Sequence, residues 1–437
     1  MKVLSLAWKY HPSITSGVGV ACEGLNNALS KVTQLTVIYP NVSKVKVHEE
    51  ILLSGKDLNE YQKSQIEHEY FEIIDDGNYE LAVRFDPYFT SSPPEKSNQK
   101  FSKISAVIDS TKSKKEIRVN RITEKLLYDE VDVFGENVKD KIFLYNRLVE
   151  ELAQNIEFDI IHAHDWMTFL AGISLKNTYN KPLVLHVHSL EYDRVGHKNV
   201  GWVYNIERFA MSKADKVISA SDYTKGIIES IYGLSGNRIQ TIYNAVTIPD
   251  FEIAYDQKND QIFKVLFAGR IDGNKGLEYF ITIAAEVLRK SNNVEFIVVG
   301  RGEANVNFEE IKGFQKIESS FRYLGFVERE SLFALYNQCD LLCMPSISEP
   351  FGLAAIEAAW VGLPVILSTK TGASEVLKRT PKASFLDTKR FADLILSIQQ
   401  NSSLRKRIIA NNKQDVSKLS WDSSASKVLN LFKDLVN

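Results

Sequence analysis

The string S-E-P-F-G-L-A-A-I-E, Ser348 to Glu357, running on as AAWVGLPVI to Ile366, decides how the rest of the chain is read. Pro350 and Gly352 mark a turn, residues 352–362 have the composition of a helix, and PVIL reads as the strand that follows. Glu349 lies in the turn, and Glu357 lies about one turn inside the helix. The backbone N–H groups of Phe351, Gly352 and Leu353 fall at the helix N-terminus, whose free donors and positive dipole end favour an anion such as a phosphate. Glu357 offers a carboxylate to two vicinal hydroxyls, as on a ribose. A first-turn Glu alone serves a helix dipole equally well; the whole string points to a ligand.

Upstream, FAGRIDGNKG at 267–276 places Arg270 and Lys275 after an apolar strand, among Gly269, Gly273 and Gly276. Glycines let a loop approach a ligand closely. Arg as a fork and Lys as a point charge suit a diphosphate. Around these strings apolar strands and amphipathic helices alternate from FKVLFAG to about residue 415: helix 276–290, strand VEFIVVG, a helix near 307–318, strand FRYLGF, helix 329–337, strand DLLCMP. Helices at about 388–400, 402–418 and 421–436 follow. In the last, Val428, Leu431, Phe432 and Leu435 give one apolar face.

The first half repeats the alternation. A strand at Val3–Ala7, a glycine loop through Gly17 and Gly19, a helix at 19–31 and a strand at 35–39 open it. After an irregular stretch at 41–139, read as an insertion, order returns with helix 140–156, FDIIHAH, PLVLHVH, KVISAS and RIQTIY. Residues 244–262 read as a linker. The fold class is therefore α/β: two Rossmann-like doubly wound domains facing across a cleft, with ligands expected beyond the carboxyl ends of the strands. The expected domains are 1–245, with the insertion at about 41–139, then 262–415, then a C-terminal helical segment at 416–437.

Composition narrows the function. The net charge of −2 gives no support to wholesale nucleic-acid or anionic-membrane binding. The N-terminal apolar run is interrupted at Lys9 and no window holds 18 continuous apolar residues, so neither a signal peptide nor a spanning helix is expected. Cys22, Cys339 and Cys343 are too few for a disulfide framework and fit a reducing, cytoplasmic setting. Cys339 and Cys343 read as small buried hydrophobes.

Two further features carry chemistry. His162 and His164 share one face of a strand, and His186 and His188 repeat the pattern on the next. Four histidines on adjacent strands look like a metal site, which makes a metal-dependent hydrolase the alternative from another class. HAHDW, however, departs from the binuclear H-x-H-x-D-H pattern. The expectation is that no metal ligand set exists, that His188 lines the cleft, and that His162 and His186 are core residues with satisfied ring nitrogens. In SGVGVACEG, 16–24, Gly17 and Gly19 begin a G-x-G-x-x-G, but Cys22 takes the third glycine position, so a dinucleotide-binding dehydrogenase is a poor fit.

SEPFGLAAIE, FAGRIDGNKG, VVGRGE and YLGFV, in their order along the second half, resemble the family 4 retaining glycosyltransferases of GT-B fold. HAHDW, HVHSLEYDR, ADKVISASDYTKGII and IYNAV resemble the glycogen/starch-synthase-like branch of that group. The resemblance spans 1–40 and about 140–437, and it implies that the last helix, in 416–437, crosses back to the N-terminal domain. It implies that Arg270 and Lys275 neutralise a departing diphosphate, that Glu349 contacts the donor sugar, and that Glu357 binds the ribose. Phe351, Gly352 and Leu353 would act as backbone donors. Gly17, Gly19, Gly302, Phe326 and Val327 would line the donor site, His188 would sit beside the anomeric carbon, and Asp165 would face the acceptor. It further implies front-face transfer of a hexose from an ADP-, UDP- or GDP-linked sugar to a glycan or other hydroxyl, with no cofactor and no metal. Glucose and an α-glucan acceptor come first; an envelope or exopolysaccharide transferase using a UDP-sugar or GDP-mannose is the alternative. A non-catalytic sugar-binding descendant would be expected to have lost Glu349, Arg270 or Lys275. Ser16-Gly17-Val18-Gly19 lacks the lysine of the K-x-G-G motif of ADP-glucose-using bacterial enzymes, and Ala245 and Thr371 stand where glycine is commoner.

Overall fold

The structure is a computed structural model of the 437-residue chain. It describes residues 1–8, 17–39, 46–47, 50–53, 72–73, 105–106, 138–195, 201–247, 249, 262–302, 308–311 and 313–436. Most of the expected insertion at 41–139 and of the expected linker at 244–262 lies outside the described residues, as does Ser16.

The first half holds β1 (Lys2–Leu6), α1 (Gly17–Ser30), β2 (Gln34–Ile38), β3 (Lys46–Val47), β4 (Glu50–Leu53), the short pair β5 (Glu72–Ile73) and β6 (Ser105–Ala106), α2 (Val138–Ala153), β7 (Ile160–His164), α3 (Trp166–Tyr179), β8 (Leu183–Val187), α4 (Glu191–Val195), α5 (Trp202–Lys213), β9 (Lys216–Ser219), α6 (Asp222–Ile231) and β10 (Ile239–Thr241). Its main sheet runs β10-β9-β8-β7-β1-β2-β4-β3, parallel except for β3 against β4. The strands are near-continuous apolar runs because helices cover both faces. Leu4, Leu6, Ile161, Leu183 and Leu185 are buried in one core cluster with α2, α3 and α5, while Val3, Val37, Ile160, Val184 and Ile218 are buried in the other with α1.

The second half holds β11 (Phe263–Ala268), α7 (Leu277–Leu288), β12 (Val294–Val299), β13 (Phe321–Tyr323), α8 (Arg329–Gln338), β14 (Leu341–Met344), α9 (Leu353–Val361), β15 (Val365–Ser368), α10 (Ala373–Val376), β16 (Lys382–Ala383), α11 (Thr388–Gln400), α12 (Ser402–Val416) and α13 (Trp421–Val436). Its six-stranded sheet, β13-β12-β11-β14-β15-β16, is parallel throughout. Side-chain caps set several helix starts: Ser221 accepts from Thr224 N, Asp387 from Arg390 N and Asn401 from Leu404 N. Cys339 and Cys343 are fully buried.

α13 packs on α1 of the first half. Val428, Leu431 and Phe432 are buried with Leu25, Leu29 and Val37. Trp421 lies over Gly24, where an added Cβ would come within 2.3 Å of the indole, so a side chain at that position would push the helix away. Lys31 pairs with Asp422 at 3.1 Å, and the Trp421 indole donates to Thr247 Oγ1 at 3.1 Å, where the chain leaves the first half.

Three expectations need correction. The helix expected near 307–318 is a series of short 3-10 turns, Phe308–Glu310, Phe314–Lys316 and Glu318–Ser320. Gly313 at φ 96° breaks the helical run, and Phe308, Phe314 and Phe321 cluster instead. Gly17 and Gly19 lie in the first turn of α1 rather than in a loop before it. The start of the linker is not a free polar segment: Asn244 and Ala245 are buried.

Candidate functional site

The carboxyl end of β11 leads into Gly269–Gly276. Asp272 accepts from Asn274 N at 3.0 Å and Lys275 N at 3.1 Å, which winds the chain into a single 3-10 turn. Gly276 closes it at φ 77°, with Pro345 O so near that a Cβ there would clash at 2.2 Å. The next strand's loop is held to the same turn, since Ile347 N donates to Asn274 O at 2.8 Å. Lys275 and Glu349, 74 residues apart in sequence, are thereby brought into an ion pair through Nζ and Oε2. Arg270 stays about half exposed and pairs with Asp272 at 2.8 Å. Gly302 bridges Ile271, Val327 is partly buried against the second-half core, and Phe326 is exposed. Lys275 and Glu349 thus meet, Arg270 stays on the same turn paired to Asp272, and Phe326 is on the surface.

Gly352, at φ 96°, starts α9, whose first N–H groups have no acceptor within the helix. Glu349 is fixed by backbone on both sides: its N–H donates to Lys370 O at 3.0 Å, and its carbonyl accepts from Gly372 N at 2.9 Å. Glu357 is buried one turn into α9 and is paired to Arg329 at 2.9 Å. Burial raises its carboxyl pKa, and the Arg329 guanidinium works against that rise. Arg329 also donates to Thr247 O at 3.0 Å. The Glu357 carboxylate is therefore already paired with an arginine joined to the crossing segment, a partner the sequence did not suggest.

The first half supplies the opposite wall. Gly17 lies against Leu353, the first residue of α9, with room for a Cβ at 3.6 Å from its Cδ1. His188 follows β8, and α4, which begins three residues later, packs beside the 273–275 turn. Asp165 is buried, in a left-handed conformation at φ 60°. Its Oδ1 accepts from His188 N at 2.7 Å and Ser189 N at 3.3 Å, so the carboxylate fixes the turn that carries His188. Burial pushes the Asp165 carboxyl up to about 6. The Glu207 carboxylate, pushed by burial to about 8, accepts from Glu191 N at 2.9 Å and from Arg194, and so anchors α4.

The four histidine rings pack against one another. His162 Nε2 lies 3.3 Å from His186 Nδ1, and His164 Nδ1 lies 2.9 Å from His188 Nε2. Phe432 meets His162 edge-on at 5.2 Å. The expectation of satisfied rings at His162 and His186 is corrected: His162 Nδ1 and His186 Nε2 are buried without a hydrogen-bond partner, as are His164 Nε2 and His188 Nδ1. Each ring spends one nitrogen on a neighbouring ring, and apolar packing closes off the other. Burial lowers the His162 and His188 pKa to about 3, so His188 meets the cleft as a neutral imidazole.

Contacts between the halves were not foreseen. Ser348 donates to Asp193 Oδ1 and hydrogen-bonds the Tyr223 hydroxyl at 2.8 Å. Ser221 donates to Pro350 O at 2.5 Å. The Glu375 carboxylate accepts from Asp222 N at 2.9 Å and Tyr223 N at 2.6 Å, capping α6 from the other half. The only sequence signal was that ADKVISASDYTKGII and SEPFG both end strands, the position where a cleft must lie.

Comparison with known proteins agrees with this architecture. Residues 124–248 match the family described as Glycosyltransferase Family 4, and residues 250–415 match Glycosyl transferases group 1. An uncharacterised glycosyltransferase of Methanocaldococcus jannaschii is 29% identical over 295 residues, covering 63% of this chain and 75% of that protein. Glycogen synthase of Mycobacterium tuberculosis is 26% identical over 227 residues, covering 50% of this chain and 54% of the relative. Among solved structures, the catalytic domain of starch synthase IV from Arabidopsis thaliana, bound to ADP and acarbose, superposes with a TM-score of 0.66 at 14% identity, covering 100% of this chain and 99% of that one. Among the described residues no helix is long and apolar enough to cross a membrane. Two parallel α/β halves of GT-B type, matched by the two families in chain order, make this protein an enzyme that belongs to the group 1 glycosyltransferases.

Proposed function

We propose that the enzyme transfers a hexose, glucose first, with retention, from a nucleotide-diphosphate sugar to the hydroxyl of a growing α-glucan. The observation that supports this most is the Lys275–Glu349 pair set between a 3-10 turn and the start of α9, with Arg270 on the same loop. In this reading Lys275 and Arg270 take the charge that develops on the diphosphate as the sugar leaves, and the N–H groups of Phe351, Gly352 and Leu353 share it. Glu349 is released from Lys275 to hold sugar hydroxyls, and Glu357 takes the ribose. His188, a neutral imidazole, faces the anomeric carbon. It donates or accepts one hydrogen bond there and adds no charge beside the positive centre of the transition state. Asp165 acts through His188 by fixing its backbone. The leaving diphosphate takes the proton of the incoming hydroxyl, so bond breaking and bond making share one face and no metal is needed. The similarity to a glycogen synthase and to a starch synthase holding ADP and acarbose favours a glucan acceptor.

The missing first-loop lysine at Ser16 favours a second reading, a UDP-sugar or GDP-mannose donor and an envelope or exopolysaccharide acceptor. A screen of ADP-, UDP- and GDP-sugars with maltooligosaccharide, following nucleotide release and product anomer, separates the two. An α-linked glucan from a glucose donor is the expected result. Release from GDP-mannose alone selects the second reading, and an inverted product overturns both.

A further inference from the structure

The transferase reading uses His188 but leaves unused the other groups packed around it: three buried imidazoles and the thiol that replaces the third glycine of the first βα turn. Cys22 Sγ lies 3.5 Å from His188 Nε2, which lies 2.9 Å from His164 Nδ1. We propose that Cys22, His164 and His188 bind one zinc-class divalent ion, and that the ion turns the enzyme off by taking His188. The three ligand atoms all lie within 4.8 Å of one another. Tetrahedral zinc, with bonds of about 2.0–2.1 Å to nitrogen and about 2.3 Å to sulfur, sets ligand edges of roughly 3.3–3.6 Å. The sulfur–nitrogen edge already matches, and the nitrogen–nitrogen edge needs to open by a few tenths of an ångström.

A second set, His162, His164 and His186, also clusters within 4.8 Å. Two considerations favour the first. Three neutral imidazoles would leave a doubly charged ion uncompensated in a dry core, whereas a thiolate offsets part of that charge. His188 is also the most exposed of the four rings, at 6% against 0–1%, which puts the entry path at the cleft. On binding, the Cys22 proton leaves to solvent, and the ring that donates in the His164–His188 hydrogen bond shifts its N–H to its other nitrogen, so that both imidazoles turn a lone pair to the metal. His188 Nε2 is then held in the first half and lost to the transfer reaction. Zinc would therefore inhibit, and chelation would leave transfer intact or restore it. The inhibitory consequence rests on the transferase reading; the binding claim does not.

The test titrates zinc alone, then cobalt(II), into the metal-free full-length protein. The expected result is one equivalent bound, a thiolate-to-cobalt charge-transfer band, and loss of transfer as the site fills. Cys22→Ser should lose that band, weaken zinc by at least about 10–100-fold, the loss that even an outer-shell partner costs, and transfer sugar normally in the presence of zinc. His186→Asn should keep the band. No stoichiometric zinc, cobalt bound without a thiolate band, or unchanged zinc affinity in Cys22→Ser overturns the proposal. If Cys22→Ser fails to fold, the wild-type cobalt spectrum decides. Because that spectrum needs no turnover, a protein that binds zinc through thiolate but transfers nothing contradicts the transferase reading and not the site.

Discussion

The two walls of the cleft solve opposite electrostatic problems. On the second half every charged site residue already has an opposite partner: Arg270 with Asp272, Lys275 with Glu349, Arg329 with Glu357. Under the proposed function a diphosphate would exchange one of these ion pairs for another, and sugar hydroxyls would take the carboxylate so released. On the first half the imidazoles are kept uncharged by burial, and the Asp165 carboxyl is spent on the His188 and Ser189 N–H groups. Under the proposed function a phosphate would be drawn to the second half, and the bond to be broken would lie against a surface that contributes shape and single hydrogen bonds. Preorganised charge is useful only where charge develops.

The largest way to break this contrast is to separate the walls. Phe432 is fully buried between α13 and the sheet carrying the histidines. Phe432→Ala should destabilise the protein by about 3–5 kcal/mol, read as the midpoint of denaturant unfolding. Deleting 421–437 should do more than trim a tail, because it uncovers the same apolar strip. An unchanged melting temperature with full activity would show α13 to be dispensable.

Next comes the charged wall alone. Arg270→Ala and Lys275→Ala should each lower turnover by about 10²–10³-fold, with a smaller loss in donor affinity because the charge develops at departure. Lys275→Ala should be the worse of the two, since it also strands Glu349 in a buried position. Near-normal turnover in both at saturating donor would remove the diphosphate clamp.

A smaller effect belongs to the contacts that join the halves. Glu375→Gln weakens the cap on α6 and should cost about 0.5–2 kcal/mol, the range for losing an N-terminal cap. It should also loosen the α6 N-terminus, seen as faster amide exchange at Asp222 and Tyr223. Unchanged exchange would mean that the contact does not couple the halves. A separate effect is a pH dependence set by Glu207. Its folded pKa is raised, to about 8, so the folded state holds a proton that the unfolded chain releases at ordinary carboxyl values. Its contribution to stability is complete below the unfolded pKa and is lost as pH rises toward about 8. Glu207→Gln should flatten that part of the stability curve; an unaltered slope would place Glu207 ionised in the fold.

The charged wall was legible in the sequence and the neutral one only in part, for a physical reason. Arg270, Lys275, Glu349 and Glu357 sit in short strings whose glycines and prolines fix their own turns, so local chemistry announces them. Glu357's partner Arg329 comes from a different helix of the same half, while the Glu375 cap on α6 and the Ser348–Asp193 bond join residues 153 and 155 positions apart and depend on how two finished halves meet. The period-two spacing of His162, His164, His186 and His188 correctly put all four rings on one face, but said nothing of the helix that would close over them. The 307–318 error has the same origin: Gly313 and three phenylalanines outweigh a weak helical pattern once β13 offers them a place to pack.

The most direct measurement of the contrast is calorimetric titration of UDP, ADP and GDP into wild type, Lys275→Ala and His188→Ala, alongside turnover of each. We predict that the preferred nucleoside diphosphate binds His188→Ala as it binds wild type and binds Lys275→Ala more weakly, while turnover falls in both variants. Nucleotide binding abolished by His188→Ala and untouched by Lys275→Ala would put the diphosphate on the wrong wall and contradict the division of labour between the two halves.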